Sequence, residues 1–302
     1  PQIKSRYLFL AVLFYWFNAF SLVNVWNRFL YNHMVFFALL PLATAIFIKG
    51  LKKRNYLYSV AVGIISSVFS YALTSIPFNL VLWVVFFSLA TFHLTIEKGS
   101  KGFIIKFFFL TFIFYFLNNL WWISQLLSFF TSSAYPTSVS GFFSLEGNIT
   151  ALTSLSKLLG NLVDITRFYH FYFFSEPVVS WAAVYTSVPF KMLGFIFLGI
   201  LFMALIKGRR KKYVILTGWL FVLYLFLVKG NNPPFGEIFQ FFFVKFTFLQ
   251  VFRNPFEKFG FLLPLFAAPL FAYGVAQLQL PNPRLTTSVY VLVTLVLSIM
   301  WG

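Results

Sequence analysis

Cysteine is absent from the 302 residues, and histidine and acidic residues are scarce, at three and six residues. Without a thiol the chain can form no disulfide and has no cysteine nucleophile or thiolate metal ligand. The histidines lie far apart, so no spacing typical of a metal site is present. The cofactor is therefore left open: a divalent metal is compatible with the sequence, but no ligand set is visible.

Charged residues make up only 10% of the chain, whereas 60% is hydrophobic and 47 residues are phenylalanine. The apolar residues form continuous runs long enough to cross a bilayer, and continuous runs are typical of helices rather than barrel strands. We therefore predict an all-α, polytopic membrane helix bundle that forms a single transmembrane domain over residues 1–302. The nine spans are expected at about 7–26, 33–48, 56–74, 80–96, 103–123, 189–206, 213–228, 257–277 and 287–302.

Basic residues outnumber acidic ones by 23 to 6, which gives a formal net charge of +17. The cations lie in short loops between apolar runs, so the expected partner is the membrane lipid surface and not a nucleic acid. If the first span runs outward, most cations fall on the inner side, as the positive-inside rule requires. The chain is then expected in the plasma membrane, with two long extracytoplasmic segments at about 124–188 and 229–256 that carry the function.

Each long outer segment is predicted to hold a helix that does not cross the membrane. Leucines at helical spacing between residues 152 and 163 indicate an amphipathic helix on the outer leaflet. In the second segment Pro233 and Pro234 can open a helix with Glu237 in its first turn, followed by about 15 mostly apolar residues. That run is too short to span, so it predicts a re-entrant or interfacial helix.

A charged cluster, VFRNPFEKFG, follows this run at residues 251–260. Asn254 is suited to cap a helix, Pro255 to its first position, and Glu257 to reaching back to the cap. The eighth span is therefore predicted to begin here. Arg253 and Lys258 then lie beside the helix start, where they can bind a phosphate or pyrophosphate or can instead extend to lipid headgroups.

Two further groups of polar residues are candidates for a site. Asn118, Asn119, Trp121 and Trp122 end the fifth span and can hold a sugar by hydrogen bonding and stacking, or form an aromatic belt with interhelical amide bonds. Asp164 and Arg167 are three residues apart, so they are expected to pair on a helix face, with His170 nearby. These residues can form a general-base site or a solvated interfacial cluster.

The order of several short motifs resembles the later membrane region of GT-C glycosyltransferases, closest to the arabinofuranosyltransferase type and its YfhO-like relatives. An Asn-Asn-x-Trp-Trp span end precedes a long outer loop and the sequence GNNPPFG at 230–236. An apolar run and the sequence FRNPFEKF at 252–259 follow. The resemblance covers about residues 100–280.

This resemblance implies an enzyme that transfers a sugar from a polyprenyl-phosphate donor to an extracytoplasmic glycan, lipid or protein acceptor. It places Arg253 and Lys258 near the lipid phosphate, and the family's site carries over to these two residues only. Asn231 and Asn232 join Asn118, Asn119, Trp121 and Trp122 as candidate contacts for the sugar or the acceptor. In this family the catalytic acid lies in the first outer loop, but residues 27–32 contain no acid. We therefore expect a fragment of a longer protein whose catalytic acid lies upstream. The candidate bases within the chain are Asp164, His170 and Glu237.

Other classes of membrane protein remain open from the sequence. A transporter or flippase for a lipid-linked glycan would require ionisable groups within several spans, and the predicted spans hold few. An O-antigen ligase-like or polymerase-like enzyme would also have outer loops and basic residues. A non-catalytic membrane subunit whose loops bind partners is the third alternative.

Overall fold

The computed structural model of the chain describes residues 5–27, 30–96, 100–131, 144–168, 187–278 and 283–299. This part of the chain is 86% helix and contains no strand, which confirms the all-α prediction for it. Its α-helices are α1 Ser5–Phe17, α2 Ala19–Ser21, α3 Tyr31–Lys53, α4 Leu57–Val68, α5 Ser70–Leu73, α6 Ile76–Thr95, α7 Lys101–Thr131, α8 Leu145–Leu159, α9 Leu162–Thr166, α10 Val188–Lys207, α11 Lys212–Val228, α12 Gly236–Lys245, α13 Pro255–Phe259, α14 Leu262–Gln277 and α15 Pro283–Ile299. A π-helix, Leu22–Asn27, continues α2, and a 3-10 helix, Thr247–Phe252, precedes α13.

Five helical segments of the described residues are long and apolar enough to cross a membrane. They are Tyr7–Val25, Tyr31–Lys53, Ile76–Thr95, Lys101–Ser128 and Val188–Lys207. Each coincides with a predicted span. The other four predicted spans fall on shorter apolar helices, namely Leu57–Val68, Lys212–Val228, Leu262–Gln277 and Thr287–Leu297. The count of nine spans therefore stays a prediction.

The helices cluster into two compact units. Unit 1 contains residues 1–28 and 149–302, and unit 2 contains residues 29–148. Unit 2 is therefore a continuous stretch of chain inserted into the sequence of unit 1. The helices α1 and α2 and the π-helix of unit 1 precede it, and the other helices of unit 1 follow it.

Helix α14 is the centre of unit 1, where it packs against α1, α10 and α11. Its residues from Leu262 to Val275 are buried, with the exception of Pro269. Phe271 stacks on Phe14 of α1 with ring centroids 4.6 Å apart. A helix that is apolar on every face needs neighbours on every face, and α14 has them.

Unit 2 is built around the pair α4 and α7, with α3 and α6 alongside; the contacts of Ser59 with Thr111 and of Ser66 with Asn119 show that α4 and α7 run parallel. Small and polar residues line the pair: Thr111 Oγ1 donates to Ser59 Oγ at 3.2 Å, and Asn119 Nδ2 donates to Ser66 Oγ at 2.7 Å. Between these two bonds, Gly63 lies against the Phe114 carbonyl. Small residues allow close backbone approach, and buried hydroxyl and amide groups then bond across the interface.

The predicted amphipathic helix between residues 152 and 163 is divided in the structure, since α8 ends at Leu159 and α9 begins at Leu162. Leu152 and Leu159 of α8 are buried, whereas Leu158 and Val163 are exposed. Its position on the outer leaflet stays a prediction.

The apolar run after Pro234 differs from its prediction. Its helix, α12, begins at Gly236 and ends at Lys245, and the chain continues as a 3-10 helix. Two of the four phenylalanine rings of α12, Phe241 and Phe242, are exposed, whereas Phe239 and Phe243 are buried.

Candidate functional site

Three segments of unit 1 that are distant in sequence meet at the end of α11. We call this region the polar junction and define it as Thr153 and Ser156 of α8, residues 229–232 and residues 253–258. Helix α11 ends at Val228, and the Gly230 amide donates back to the Leu227 carbonyl at 3.2 Å. Gly230 has φ +62°, the left-handed conformation that commonly ends a helix and that favours glycine.

Gly230 also makes the closest approach in the polar junction. A Cβ atom placed on it would lie 2.2 Å from Ser156 Oγ and 2.9 Å from Pro255 Cγ. Both backbone conformation and space therefore require glycine here. The turn consequently contacts α8 on one side and the start of α13 on the other.

Asn231 and Asn232 link this turn to α8 by hydrogen bonds. Asn231 Nδ2 donates to Thr153 Oγ1 at 3.0 Å, its backbone amide donates to Ser156 Oγ at 3.4 Å, and Asn232 Nδ2 donates to the Ser156 carbonyl. The side-chain nitrogens of Asn231 and Asn232, the two candidate sugar contacts in this turn, thus already donate hydrogen bonds. Within the described residues, neither side-chain oxygen accepts a hydrogen bond, so both are available as acceptors.

Lys229 is buried beneath the turn, at 2% exposure. Its Nζ donates to the Asn232 carbonyl at 2.6 Å and lies 4.7 Å from the centre of the Phe226 ring. Burial lowers the pKa of this ammonium, and the nearby carboxylate of Glu237 partly opposes the effect. Lys229 therefore stabilises the turn through the hydrogen bond that its buried ammonium donates to the Asn232 carbonyl. Lys229 was not identified as a site residue from the sequence, although its position directly after an apolar helix was a signal.

The predicted cap at Asn254 is confirmed. Asn254 Oδ1 accepts from the Glu257 amide at 3.3 Å, and Pro255 occupies the first turn of α13. The predicted long helix is wrong in one respect, because α13 has only five residues and the chain turns at Gly260 before α14 begins. A Cβ atom on Gly260 would lie 2.4 Å from the Phe20 ring, so the break accompanies a tight contact.

Arg253 and Lys258 are half-buried on either side of this cap. The intervening residues Pro255 and Phe256 are buried, and Phe252 stacks on Phe259 with centroids 4.5 Å apart. The aromatic contacts fix the backbone that carries both cations. Half-buried cations attract an anion more strongly than fully solvated ones because water screens them less.

The candidate bases differ in their surroundings. Asp164 forms an ion pair with Arg167, as predicted, and the Arg167 guanidinium also lies 4.8 Å from the centre of the Phe195 ring. Glu237 is exposed in the first turn of α12, where its charge reaches Lys229. His170 lies outside the described residues. Among those described, no group of three or more His, Asp or Glu side chains could hold a metal ion.

The Asn118–Trp122 group belongs to unit 2. Asn119 and Trp122 are buried; Asn119 Nδ2 donates to Ser66 Oγ, and its Oδ1 accepts from Trp122 Nε1 at 2.9 Å. Asn118 Nδ2 donates to the Phe114 carbonyl at 2.8 Å, whereas Trp121 is 57% exposed. The Asn119 amide thus links α4 to α7, and Trp121 is the member of the group most accessible to a ligand.

Comparisons of the chain with protein-family models, with curated proteins and with solved structures found no match.

Proposed function

We propose that the chain belongs to a membrane glycosyltransferase that takes a sugar from a polyprenyl-phosphate donor and adds it to an extracytoplasmic acceptor. The observation that carries this proposal is the contact between Gly230 and Pro255. The two sequence segments on which the resemblance rests, 230–236 and 252–259, are separated by the 15 residues 237–251 and meet at this contact. A functional site needs residues from separate segments to meet in this way.

In this proposal Arg253 and Lys258 hold the phosphate of the lipid donor. Arginine offers a planar set of donors that matches phosphate oxygens, and lysine adds a compact charge. The side-chain oxygens of Asn231 and Asn232 accept hydrogen bonds from sugar hydroxyls, since their nitrogens are bound to α8. Membrane lipid supplies the surroundings of the donor's hydrocarbon chain.

The reaction is a displacement at the anomeric carbon. An acceptor hydroxyl oxygen bonds to that carbon while the bond from the carbon to the phosphate oxygen breaks. A base takes the hydroxyl proton, and the departing lipid phosphate keeps the bonding electrons. Arg253 and Lys258 stabilise the negative charge that develops on the departing phosphate. Electrostatic stabilisation of developing charge is commonly the largest single contribution to catalysis.

Glu237 is the best supported base among the residues that the structure describes. It is exposed and lies near Lys229, whereas Asp164 is held in its ion pair with Arg167. We expect Glu237→Gln to lower the transfer rate by a factor of about 100 or more, because a positioned base contributes roughly that much. Asp164→Asn is the comparison, and equal losses in the two variants would count against this assignment.

The experiment that tests the function measures transfer of radiolabelled sugar from polyprenyl-phosphate donors by the full chain in lipid nanodiscs. Arg253→Ala combined with Lys258→Ala should reduce turnover by a factor of about 100 or more. The matched control combines Lys157→Ala with Lys245→Ala. These lysines are exposed, belong to the same unit and change the net charge by the same amount.

Equal activity in wild type and in the Arg253–Lys258 double variant would refute the assignment of these residues to the donor phosphate. If the wild type transfers no sugar from any such donor, the glycosyltransferase proposal fails as a whole.

A further inference from the structure

A cleft of about 480 Å³ opens on unit 2 where α3 and α6 begin and α5 ends. Its lining residues are Leu30, Tyr31, Asn32, Tyr71, Thr74 and Ser75. The volume lies within the range of small-molecule sites, roughly 300–1,000 Å³. No residue of the polar junction contributes to it.

Two tyrosine rings dominate the cleft. Tyr31 is 73% exposed and Tyr71 is 61% exposed. In the described part of the chain, neither phenol makes a hydrogen bond. Each tyrosine therefore presents a flat apolar face together with a hydroxyl that can donate and accept.

The other polar groups of the cleft are partly fixed by the backbone. Asn32 Oδ1 accepts from the His33 amide at 3.0 Å, and this bond leaves the Asn32 nitrogen as a donor. Thr74 Oγ1 donates to the Tyr71 carbonyl at 3.0 Å and keeps its lone pairs for a ligand. Ser75 adds a second hydroxyl.

We propose that this cleft binds a neutral saccharide. A sugar ring has C–H faces that pack on aromatic rings and hydroxyls that pair with amide and hydroxyl groups, and the cleft offers both. Among the described residues, no Lys, Arg, Asp, Glu or His lines it, so these residues offer a charged ligand no countercharge. A hydrocarbon chain would leave its hydroxyl and amide groups without partners.

The position of the cleft agrees with this ligand. Helix α3 runs from the cleft at Tyr31 to Lys53, so the cleft lies at the end of α3 opposite Lys49, Lys52, Lys53 and Arg54. The basic end is the inner one under the positive-inside rule. The cleft is then extracytoplasmic. The proposal concerns unit 2 alone and holds whether or not unit 1 transfers a sugar.

The test uses saturation-transfer NMR on the full chain in nanodiscs, with methyl glycosides of glucose, galactose, mannose and arabinose as probes. At least one probe should receive saturation on its ring protons, and Tyr31→Ala and Tyr71→Ala should each reduce that signal at least fivefold. Tyr56→Ala is the matched control, since Tyr56 is also exposed and lies at the opposite end of α3, one turn past Lys53. This variant should keep the wild-type signal.

A second variant keeps the test valid even if the two alanine variants fail to fold. Because the chain has no cysteine, Thr74→Cys introduces a single thiol on an exposed residue of the cleft. Loss of the Thr74 hydroxyl should weaken the signal of the unlabelled variant, and reaction of the new thiol with a bulky maleimide should then reduce that remaining signal at least fivefold. Absence of transfer to all four probes, equal signals in the three tyrosine variants, or the same signal from empty nanodiscs would each overturn the proposal.

Discussion

Gly230 occupies a position where the backbone turns left-handed between two surfaces that leave no room for a side chain. Its φ is +62°, and a Cβ atom would overlap Ser156 Oγ. The asparagines that follow it are bonded to α8 only because the turn comes this close. The geometry of the polar junction therefore depends on one residue without a side chain.

Gly230→Ala should destabilise unit 1 by about 1–3 kcal/mol, because a residue with a side chain is strained in this conformation. Denaturant unfolding in detergent, followed by tryptophan fluorescence, measures the change. Gly199→Ala is the control, since Gly199 lies in α10 of the same unit with nothing within 4 Å of a Cβ atom. It should leave stability unchanged or slightly raised. Equal losses in both variants would contradict the role of the turn.

Lys229 predicts a dependence of stability on alkaline pH. Burial lowers the pKa of its ammonium in the folded state. The unfolded chain therefore binds the Lys229 proton more tightly than the folded chain does. The stabilising contribution is fully present above the unfolded pKa, about 10.4, and is lost as pH falls through the lowered folded pKa. Glu237 is the charged group facing it.

We expect wild type to gain stability relative to Lys229→Met as pH rises towards about 10.4. The measurement is the difference in the free energy of unfolding between the two proteins at several pH values. Tyrosines and the other lysines titrate in both proteins, so their effects cancel in the difference. Parallel pH profiles would show that the pKa of Lys229 is the same in the folded and unfolded states.

At the scale of helices, the α4–α7 pair is held by close backbone approach. A Cβ atom on Gly63 would lie 2.7 Å from the Phe114 carbonyl oxygen, and the bond between Asn119 and Ser66 needs the helices at that separation. A larger side chain at Gly63 must push the helices apart and lengthen that bond.

Gly63→Leu should destabilise unit 2 by about 1–3 kcal/mol or more, since overpacking is added to a lost buried hydrogen bond. Thermal unfolding in nanodiscs measures the effect. Gly102→Leu makes the same change at the start of α7, where nothing lies within 4 Å of a Cβ atom, and should be nearly neutral. If Gly63→Leu is as stable as Gly102→Leu, the two helices are not held by this contact.

Local features of the helices could be predicted from sequence, and features that depend on distant partners could not. The cap at Asn254 and the ion pair between Asp164 and Arg167 involve residues three apart, so their geometry follows from the helix itself. The break at Gly260 could not be predicted, because it accompanies a contact with Phe20 near the other end of the chain.

The same distinction applies to the candidate site. Sequence reasoning identified Arg253, Lys258 and the asparagine pair as candidates from their types and spacing. It could not predict that Ser156 would lie against Gly230, since α8 contributes no motif and its contact with the turn joins residues more than 70 positions apart. The position of Lys229 directly after an apolar helix was a signal, but its hydrogen bond to the Asn232 carbonyl depends on the turn and could not be predicted.

At the scale of the whole molecule, the division into two compact units predicts that a destabilising substitution loosens the helices of its own unit and leaves those of the other unit unchanged. A Cβ atom on Gly274 of α14 would lie 2.4 Å from the Ile200 carbonyl oxygen of α10. Gly274→Leu should therefore loosen the helices packed around α14. Cooperative units of this kind open independently in hydrogen exchange.

Hydrogen exchange with mass spectrometry should show faster exchange in α1, α10, α11 and α14 of Gly274→Leu, with α3, α4, α6 and α7 unchanged. Gly63→Leu provides the reciprocal control, with the effect confined to unit 2. Faster exchange in both units of either variant would mean that the chain opens as one cooperative body.

The discontinuity of unit 1 has a consequence for biosynthesis. Unit 2 has all of its helices once residue 148 has been made, so it can assemble while the ribosome is still translating. Helix α1 is made before unit 2, yet its principal partner, α14, is made only after most of the chain. The buried face of α1 therefore lacks its partner α14 through most of translation. Packing between segments so distant in sequence slows folding. Until α14 has been made, the face of α1 that packs on it is accessible to chaperones and proteases.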